Sequence, residues 1–414
     1  MLRSLTKFIL SCYYNLLTGT LLKFSNRINL IQPSSTMALT SKANELRKKG
    51  EDIIILTVGE PDFDTPEYIK KAAKKAIDGG MTKYTAVDGT SALKNSIIKK
   101  FKNEKNLSYS PDEIVVSSGC KQSIFNFLQV IIDHGDEVVI PQPYWVSYAD
   151  MVKYSGGTPI MLETDYDNNF DIDINKFKSL INKKTKLFML NSPNNPSGKY
   201  YDSTLLKKLS SVLIENEGIF ISSDDIYEHI HWYDESFHNI LNVCPSLKER
   251  TIILNGVSKA YSMTGWRIGY AAGNRDIIKK MKTLQSQSTS CASSVSQAAA
   301  AAALNSECTE MPEMNKEYKK RHDFVISELN KIDGVECKPT DGTFYVFPSF
   351  KEFIEKNKYI STDTELALYL LENAKVAVVP GSAFGIEGHI RISIAIDMKS
   401  LENAMERIRN TLIL

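Results

Sequence analysis

The chain has 414 residues, 43% hydrophobic and 24% charged, with a formal net charge of +1. That is enough chain for one large domain and a smaller one in an ordinary soluble composition, and the even charge balance, with no long basic run, argues against a nucleic-acid partner. Its six cysteines (Cys12, Cys120, Cys244, Cys291, Cys308 and Cys337) form no CxxC pair, which argues against a disulfide scaffold and for reduced thiols in a cytoplasm.

At the start, Arg3, Lys7, Lys23 and Arg27 are basic and no acidic residue precedes Glu45. The mostly apolar stretch from Phe8 to Leu22 is shorter than the ~20 residues a bilayer span requires. It also lacks a small-residue cleavage site, so residues 1–24 are expected to be a dispensable leader or an early start codon, with an organelle transit peptide as the alternative. Ile53–Val58 is a short β-branched run. Asp64-Thr65-Pro66 then opens a helix, with Thr65 expected at the N-cap and Pro66 at the first helical position. Tyr68, Ala72, Ala73, Ala76 and Ile77 are expected on its buried face. Further strands are expected at Ile114–Ser117, Glu137–Ile140, Lys186–Leu190, Ile219–Ser222, Thr251–Leu254 and Ile268–Ala272, many separated by helical patterns. This rhythm predicts an α/β fold with a mostly parallel sheet covered by helices. After about Ser306 come a charged helix (Lys316–Ile332), a hairpin-like Thr343–Phe347, a helix over Thr362–Asn373 and a last one over Lys399–Leu412, which read as a small α+β domain. The expected division is a leader (1–24), an arm that joins the small domain (25–60), a large domain (61–305) and the small domain (306–414).

Polar residues cluster directly after four of these strands: Ser117-Ser118-Gly119-Cys120-Lys121, Asn191-Ser192-Pro193-Asn194-Asn195-Pro196, Asp224-Asp225, and Asn255-Gly256-Val257-Ser258-Lys259. In an open parallel sheet, ligands bind beyond the carboxyl ends of the strands. Gly119 and Cys120 lead into a helix starting near Gln122, whose N-terminus suits a phosphate. Asp224 ends an apolar strand and needs a cationic or donor partner, unless it caps a following helix. Lys259, if desolvated, has the lowered pKa that lets a lysine form a Schiff base, and is otherwise a surface lysine. Arg267 lies eight residues further on, and Arg391 interrupts the apolar run Ile390–Ile394, where a buried guanidinium demands an anion. His229 and His231 read as two side chains on one face of a strand or loop, and without HExxH no metal site is expected.

These residues resemble the fold-type-I pyridoxal-phosphate aminotransferases, most of all the bacterial branch of aspartate aminotransferases that includes enzymes acting on prephenate. The resemblance runs from about Ser25 to Leu414. It rests on Gly59-Glu60-Pro61-Asp62-Phe63-Asp64-Thr65-Pro66, Tyr144-Trp145-Val146-Ser147-Tyr148, Asn191 to Gly198, Ser223-Asp224-Asp225-Ile226-Tyr227-Glu228, Ser258 to Tyr270, and Val379-Pro380-Gly381, in that order. It implies that Lys259 carries pyridoxal phosphate and moves the proton, that Asp224 pairs with the ring nitrogen, and that Tyr227 and Asn195 bond the phenolic oxygen. Trp145 would stack on the ring. Gly119, Cys120, Ser258 and Arg267 would hold the phosphate, joined by Tyr84 of a neighbouring subunit in a homodimer with shared sites. Arg391, helped by Gly59 and Asn195, would grip the substrate α-carboxylate, and Lys121 the distal one. Three positions depart from the pattern: Cys120 replaces a frequent glycine, Asp225 a frequent glutamate, and Gln32 a basic residue usual in prephenate-accepting relatives.

The resemblance thus implies transamination between aspartate or glutamate and 2-oxoglutarate or oxaloacetate, with no membrane or nucleic-acid partner. The alternatives are an aromatic amino acid or prephenate aminotransferase, or a β-lyase on the same fold. A cofactor-sensing transcription regulator is disfavoured, since only about two dozen residues precede the family region and they show no helix-turn-helix pattern.

Overall fold

The computed structural model of the chain describes residues 24–31, 35–233, 236–306 and 308–413. The leader up to residue 23 and Gln32 lie outside these residues. In chain order the strands of the first part are β1 (Ile54–Ile55), β2 (Ile114–Ser117), β3 (Glu137–Pro141), β4 (Thr158–Leu162), β5 (Thr185–Asn191), β6 (Phe220–Asp224), β7 (Thr251–Gly256) and β8 (Gly269–Ala272). Those of the second are β9 (Tyr345–Val346), β10 (Val376–Ala377), β11 (Val379–Pro380) and β12 (Ile390–Ser393).

The central sheet has seven strands in the order β2-β8-β7-β6-β5-β3-β4. Only β8 runs against its neighbours, β2 and β7. Because successive side chains of a strand point to opposite faces, each strand supplies two cores. Val116, Phe188, Leu190, Ile221 and Ile253 enter one apolar cluster. Their neighbours Val115, Leu187, Met189, Ile252 and Leu254 enter another on the other face. Helices cover both faces, which is why these strands are nearly continuously apolar instead of alternating.

A further apolar cluster forms around β9, β12 and the helices Met311–Leu329 and Met398–Thr411, with Phe344, Val346, Ile392, Leu401 and Met405 at its heart. Ile54 and Leu56 pack in this cluster, and β1 pairs in parallel with β10. The chain is therefore an α/β protein with a mostly parallel sheet between helices and a smaller α+β part, as its alternating pattern predicts.

Several local expectations are corrected. Thr65 does not cap the helix Glu67–Asp78; Pro66 precedes it with no side-chain cap. The Thr65 hydroxyl instead donates to Ser262 O at 2.6 Å and accepts from Trp266 Nε1 at 3.0 Å, tying this loop to the segment after Lys259. The buried stripe of that helix runs through Ile69 and Ala73, and Ile77, at its margin, is 54% exposed. The helix expected from Gln122 begins at Cys120. The stretch Thr343–Phe347 is no hairpin: its strand β9 pairs with β12, more than forty residues later. Strand β4, which contains Pro159, is not among the expected strands. It is an edge strand paired only with β3, where a missing N–H is tolerated.

His389 illustrates the cost of this packing. It is fully buried, stacked on Phe347 at 5.1 Å, and its Nε2 has no partner. Burial pushes its pKa down from 6.5 to about 4. Between those values the unfolded chain binds the extra proton, so stability is full above pH 6.5 and falls as the pH drops toward 4. Replacing His389 with Phe should flatten the decline in urea-unfolding stability between pH 7 and pH 5 by about 1–2 kcal/mol. An unchanged slope would contradict this.

Candidate active site

Every strand of the central sheet except β8 delivers its carboxyl end to one side, and a cavity of about 460 Å³ opens there. Its lining includes Gly59, Cys120, Lys121, Trp145, Asn195, Asp224, Tyr227, Ser258, Lys259, Arg267 and Arg391. The sheet register explains much of this convergence: Asn191 of β5 stands opposite Asp224 of β6, and Asp224 opposite Leu254 of β7.

After β2 the chain turns through Gly119, whose φ is +89°, and enters the helix Cys120–Ile131. A Cβ at Gly119 would lie 2.1 Å from Arg267 Nη2, so only glycine lets the guanidinium approach the helix N-terminus. Cys120 is the first helical residue and lies outside the positive-φ positions, so a side chain is accommodated there. Its thiol is buried and pushed well above its ordinary pKa by that burial. The first N–H groups of the helix lack intrahelical acceptors; with Arg267 beside them, they form a place for an anion.

Asp224 is 5% exposed. Its Oδ2 accepts from the Tyr148 hydroxyl at 2.5 Å and its Oδ1 from Ile226 N–H at 3.3 Å. Among the described residues no cation bonds it, and burial lifts its pKa to about 6. The helix-cap alternative does not hold, since turn follows Asp224 instead of helix. Asn191 holds the region together: its Nδ2 donates to Asp224 O at 2.9 Å and its Oδ1 accepts from Asn195 N–H at 3.0 Å.

Lys259 is no surface lysine. Its Nζ donates to Gly59 O at 2.5 Å and lies 5.9 Å from the Tyr227 ring centroid. Burial, followed by the charge of Arg391, pushes its pKa down to about 8. A Cβ on Gly59 would meet the Tyr345 hydroxyl at 2.2 Å, so this close approach also needs glycine. The Tyr227 hydroxyl lies 3.1 Å from that of Tyr345, and burial holds Tyr227 protonated well above its ordinary range.

Arg391, in β12, is 3% exposed. Its Nη1 donates to Asn195 Oδ1 at 3.0 Å and its Nη2 to Thr57 O at 2.6 Å, while its buried Nε has no partner. The guanidinium lies 4.4 Å from the Tyr345 ring centroid. A buried cation facing a cavity with an unused donor is a site for a carboxylate. Lys121 Nζ lies 4.7 Å from the Trp145 ring centroid, and Trp145 packs edge-on against Tyr148.

Two expected residues are not in the cavity lining. Gly119 adjoins it through Cys120, whereas Tyr84 is 91% exposed and outside the cavity of its own chain. No individual role is read from the motifs for Tyr148, Tyr345 or Asn191. Tyr148 lies inside a recognised motif, three residues after Trp145. Tyr345 carries no local signal, since only the pairing of β9 with β12 brings it to the cavity.

This arrangement offers an amine that is easily deprotonated, a buried carboxylate awaiting a cation, an anion cradle and a carboxylate-binding guanidinium in one cavity. Residues 51–408 match the family model of aminotransferase class I and II, and the chain belongs to that family: it is an aminotransferase. Among curated relatives it is 48% identical over 396 residues to the aspartate/prephenate aminotransferase of Nitrosomonas europaea, covering 94% of this chain and 100% of the other. It is 45% identical to an aspartate aminotransferase of Rhizobium meliloti, covering 93% and 95%. A crystal structure of the aspartate aminotransferase from Rhizobium meliloti superposes with a TM-score of 0.91 at 44% identity, covering 94% of this chain and 99% of that one. That of Thermus thermophilus with maleate gives 0.89 at 38% identity, covering 94% and 100%. The family and branch read from the motifs are thereby borne out.

Proposed function

We propose that this aminotransferase holds pyridoxal phosphate on Lys259 and moves the amino group between L-aspartate or L-glutamate and 2-oxoglutarate or oxaloacetate. The observation that carries the reading is a half-buried Lys259, with its pKa depressed to about 8, lining one cavity with Arg391, whose Nε has no partner. The residues present fit the cofactor. The cradle at Gly119, which a Cβ would fill, and the adjacent Arg267 and Ser258 suit its phosphate. Asp224, buried and bonded to no cation among the described residues, suits a protonated ring nitrogen, and Trp145 offers a face for the ring.

When bound, pyridoxal phosphate supplies a carbonyl carbon for the amino group and a cationic ring that withdraws electrons. Asp224 keeps a proton on that ring by charge. Tyr148 and the Ile226 N–H hold the carboxylate in place. Tyr227, kept protonated, and Asn195 donate toward the phenolic oxygen. Arg391 fixes the α-carboxylate, orienting the substrate α-carbon toward Lys259. Lys259 Nζ holds and moves the proton taken from that carbon; a pKa near neutrality suits it to both roles. Asp224→Asn should keep the fold and lower kcat roughly 30- to 150-fold, the effect of losing a charge-assisted bond of ~2–3 kcal/mol in the transition state. Activity within twofold of wild type would show that Asp224 is not the ring partner.

For the distal carboxylate we propose Lys121, which lines the cavity beside Trp145. The names of the relatives favour a dicarboxylic substrate. A panel of amino donors with 2-oxoglutarate as acceptor tests this directly. Aspartate is expected to give the highest kcat/KM, and Lys121→Ala to lower it about tenfold while leaving aromatic donors nearly unchanged. An unchanged aspartate rate in Lys121→Ala, or a wild-type preference for an aromatic amino acid over aspartate, contradicts the assignment.

We propose further that the enzyme is a homodimer in which the exposed Tyr84 reaches the phosphate cradle of the second copy. The pairing of β1 with β10 supports joining residues 25–60 to the small domain at 306–414, with the large domain at 61–305. For location we propose the cytoplasm, where the five described cysteines, all unpaired, remain thiols. Among the described residues no helix is long and apolar enough to cross a membrane.

A further inference from the structure

One residue beyond Tyr227, the chain buries an ion cluster that the chemistry above does not use. Glu228 is 2% exposed. Its carboxylate meets the ammonium of Lys100 and, at 3.0 Å, that of Lys105. Both lysines belong to the helix Ser91–Lys105 and both are buried. Asn255, in β7, donates from Nδ2 to Glu228 Oε1 at 2.6 Å. Glu104 accepts from Lys100 at 2.7 Å and lies 3.2 Å from His229 Nε2. Glu104, Glu228 and His229 are close enough together to hold a cation, but two ammonium groups already face the carboxylates and would repel one.

Burying charges is costly, and apolar residues of similar volume often serve stability as well, so the cluster is best understood by what it holds in place. Tyr227 lines the cavity, while Glu228, the next residue, reaches the helix Ser91–Lys105. The Glu228 N–H donates to Asp225 O at 2.9 Å, closing the turn that carries Asp224 and Tyr227. Asn255 lies four residues before Lys259 and accepts from Gly256 N–H at 2.7 Å. Glu228 thus ties the turn bearing Tyr227 to the strand end bearing Lys259.

We propose that Glu228 is a positioning residue: clamped by Lys100 and Lys105 and bonded to Asn255, it sets the separation of Tyr227 and Lys259 in the loaded site. This rests on the reading of the cavity as a pyridoxal-phosphate site. Glu228→Gln alone would leave the buried Lys105 without a carboxylate, so the test uses charge-balanced pairs. Lys105→Met/Glu228→Met removes one charge of each sign, keeps Lys100 paired with Glu104, and deletes the bond to Asn255. Lys105→Met/Glu228→Gln restores an acceptor for Asn255.

The Met pair should fold, by circular dichroism and thermal melting of the cofactor-free chain. Loaded with pyridoxal phosphate, its visible band should titrate with a midpoint moved in the same direction as in Tyr227→Phe, by about half a pH unit or more. Its kcat should fall about tenfold with KM within about twofold, and the Gln pair should recover most of both effects. A Met pair with a wild-type midpoint and kcat overturns the proposal. So does a Gln pair no better than the Met pair, or a Met pair that fails to fold, since the cluster would then support the whole chain and not the site. Wild-type protein with no visible band fails the reading of the cavity itself, whereas a normal wild-type band that the Met pair leaves in place overturns the positioning role alone.

Discussion

Lys259→Ala should leave a folded chain that turns over amino donors about 10³- to 10⁴-fold more slowly, the range expected when a positioned proton carrier is removed. The fold is expected to survive, because the substitution relieves a cost. Lys259 is partly buried, its pKa is depressed to about 8, and its hydrogen bond among the described residues is to Gly59 O. The loss should appear in kcat and in single-turnover rates for every amino donor. A variant within tenfold of wild type would place the proton carrier elsewhere.

Arg391→Leu is expected to lower kcat/KM about 10²- to 10³-fold, the usual consequence of removing one member of a buried, hydrogen-bonded charge pair. The substitution removes the partner of the substrate α-carboxylate and leaves Asn195 Oδ1 and Thr57 O without their donor. Because every amino acid carries the α-carboxylate, all donors should suffer alike, unlike the selective loss expected in Lys121→Ala. Steady-state kinetics with aspartate, alanine and phenylalanine separates the two. A loss confined to aspartate in Arg391→Leu would assign the distal carboxylate to this residue instead.

The central sheet was legible because strands buried on both faces are written as short apolar runs, four of which end in the polar clusters that meet at the cavity. Strand β4 escaped because Pro159 is acceptable only at a sheet edge, and edge position is a property of the assembled sheet. The Asp-Thr-Pro signal at Thr65 was real punctuation, but the hydroxyl serves Ser262 across almost two hundred residues instead of the adjacent helix. Arg391 was visible as a cation inside an apolar strand, whereas Tyr345 and Tyr148 hold Tyr227 and Asp224 through contacts set only by tertiary packing. The buried pair Lys100 and Lys105 lies in a lysine-rich helix where nothing local marks which ammonium is enclosed.

The central claim is that Lys259 carries the cofactor. Purified enzyme loaded with pyridoxal phosphate should absorb in the visible range. Borohydride reduction followed by proteolysis and mass spectrometry should recover the phosphopyridoxyl group on the peptide containing Ser258-Lys259-Ala260-Tyr261. Recovery on another lysine, Lys121 included, or no covalent capture at all, would contradict the account.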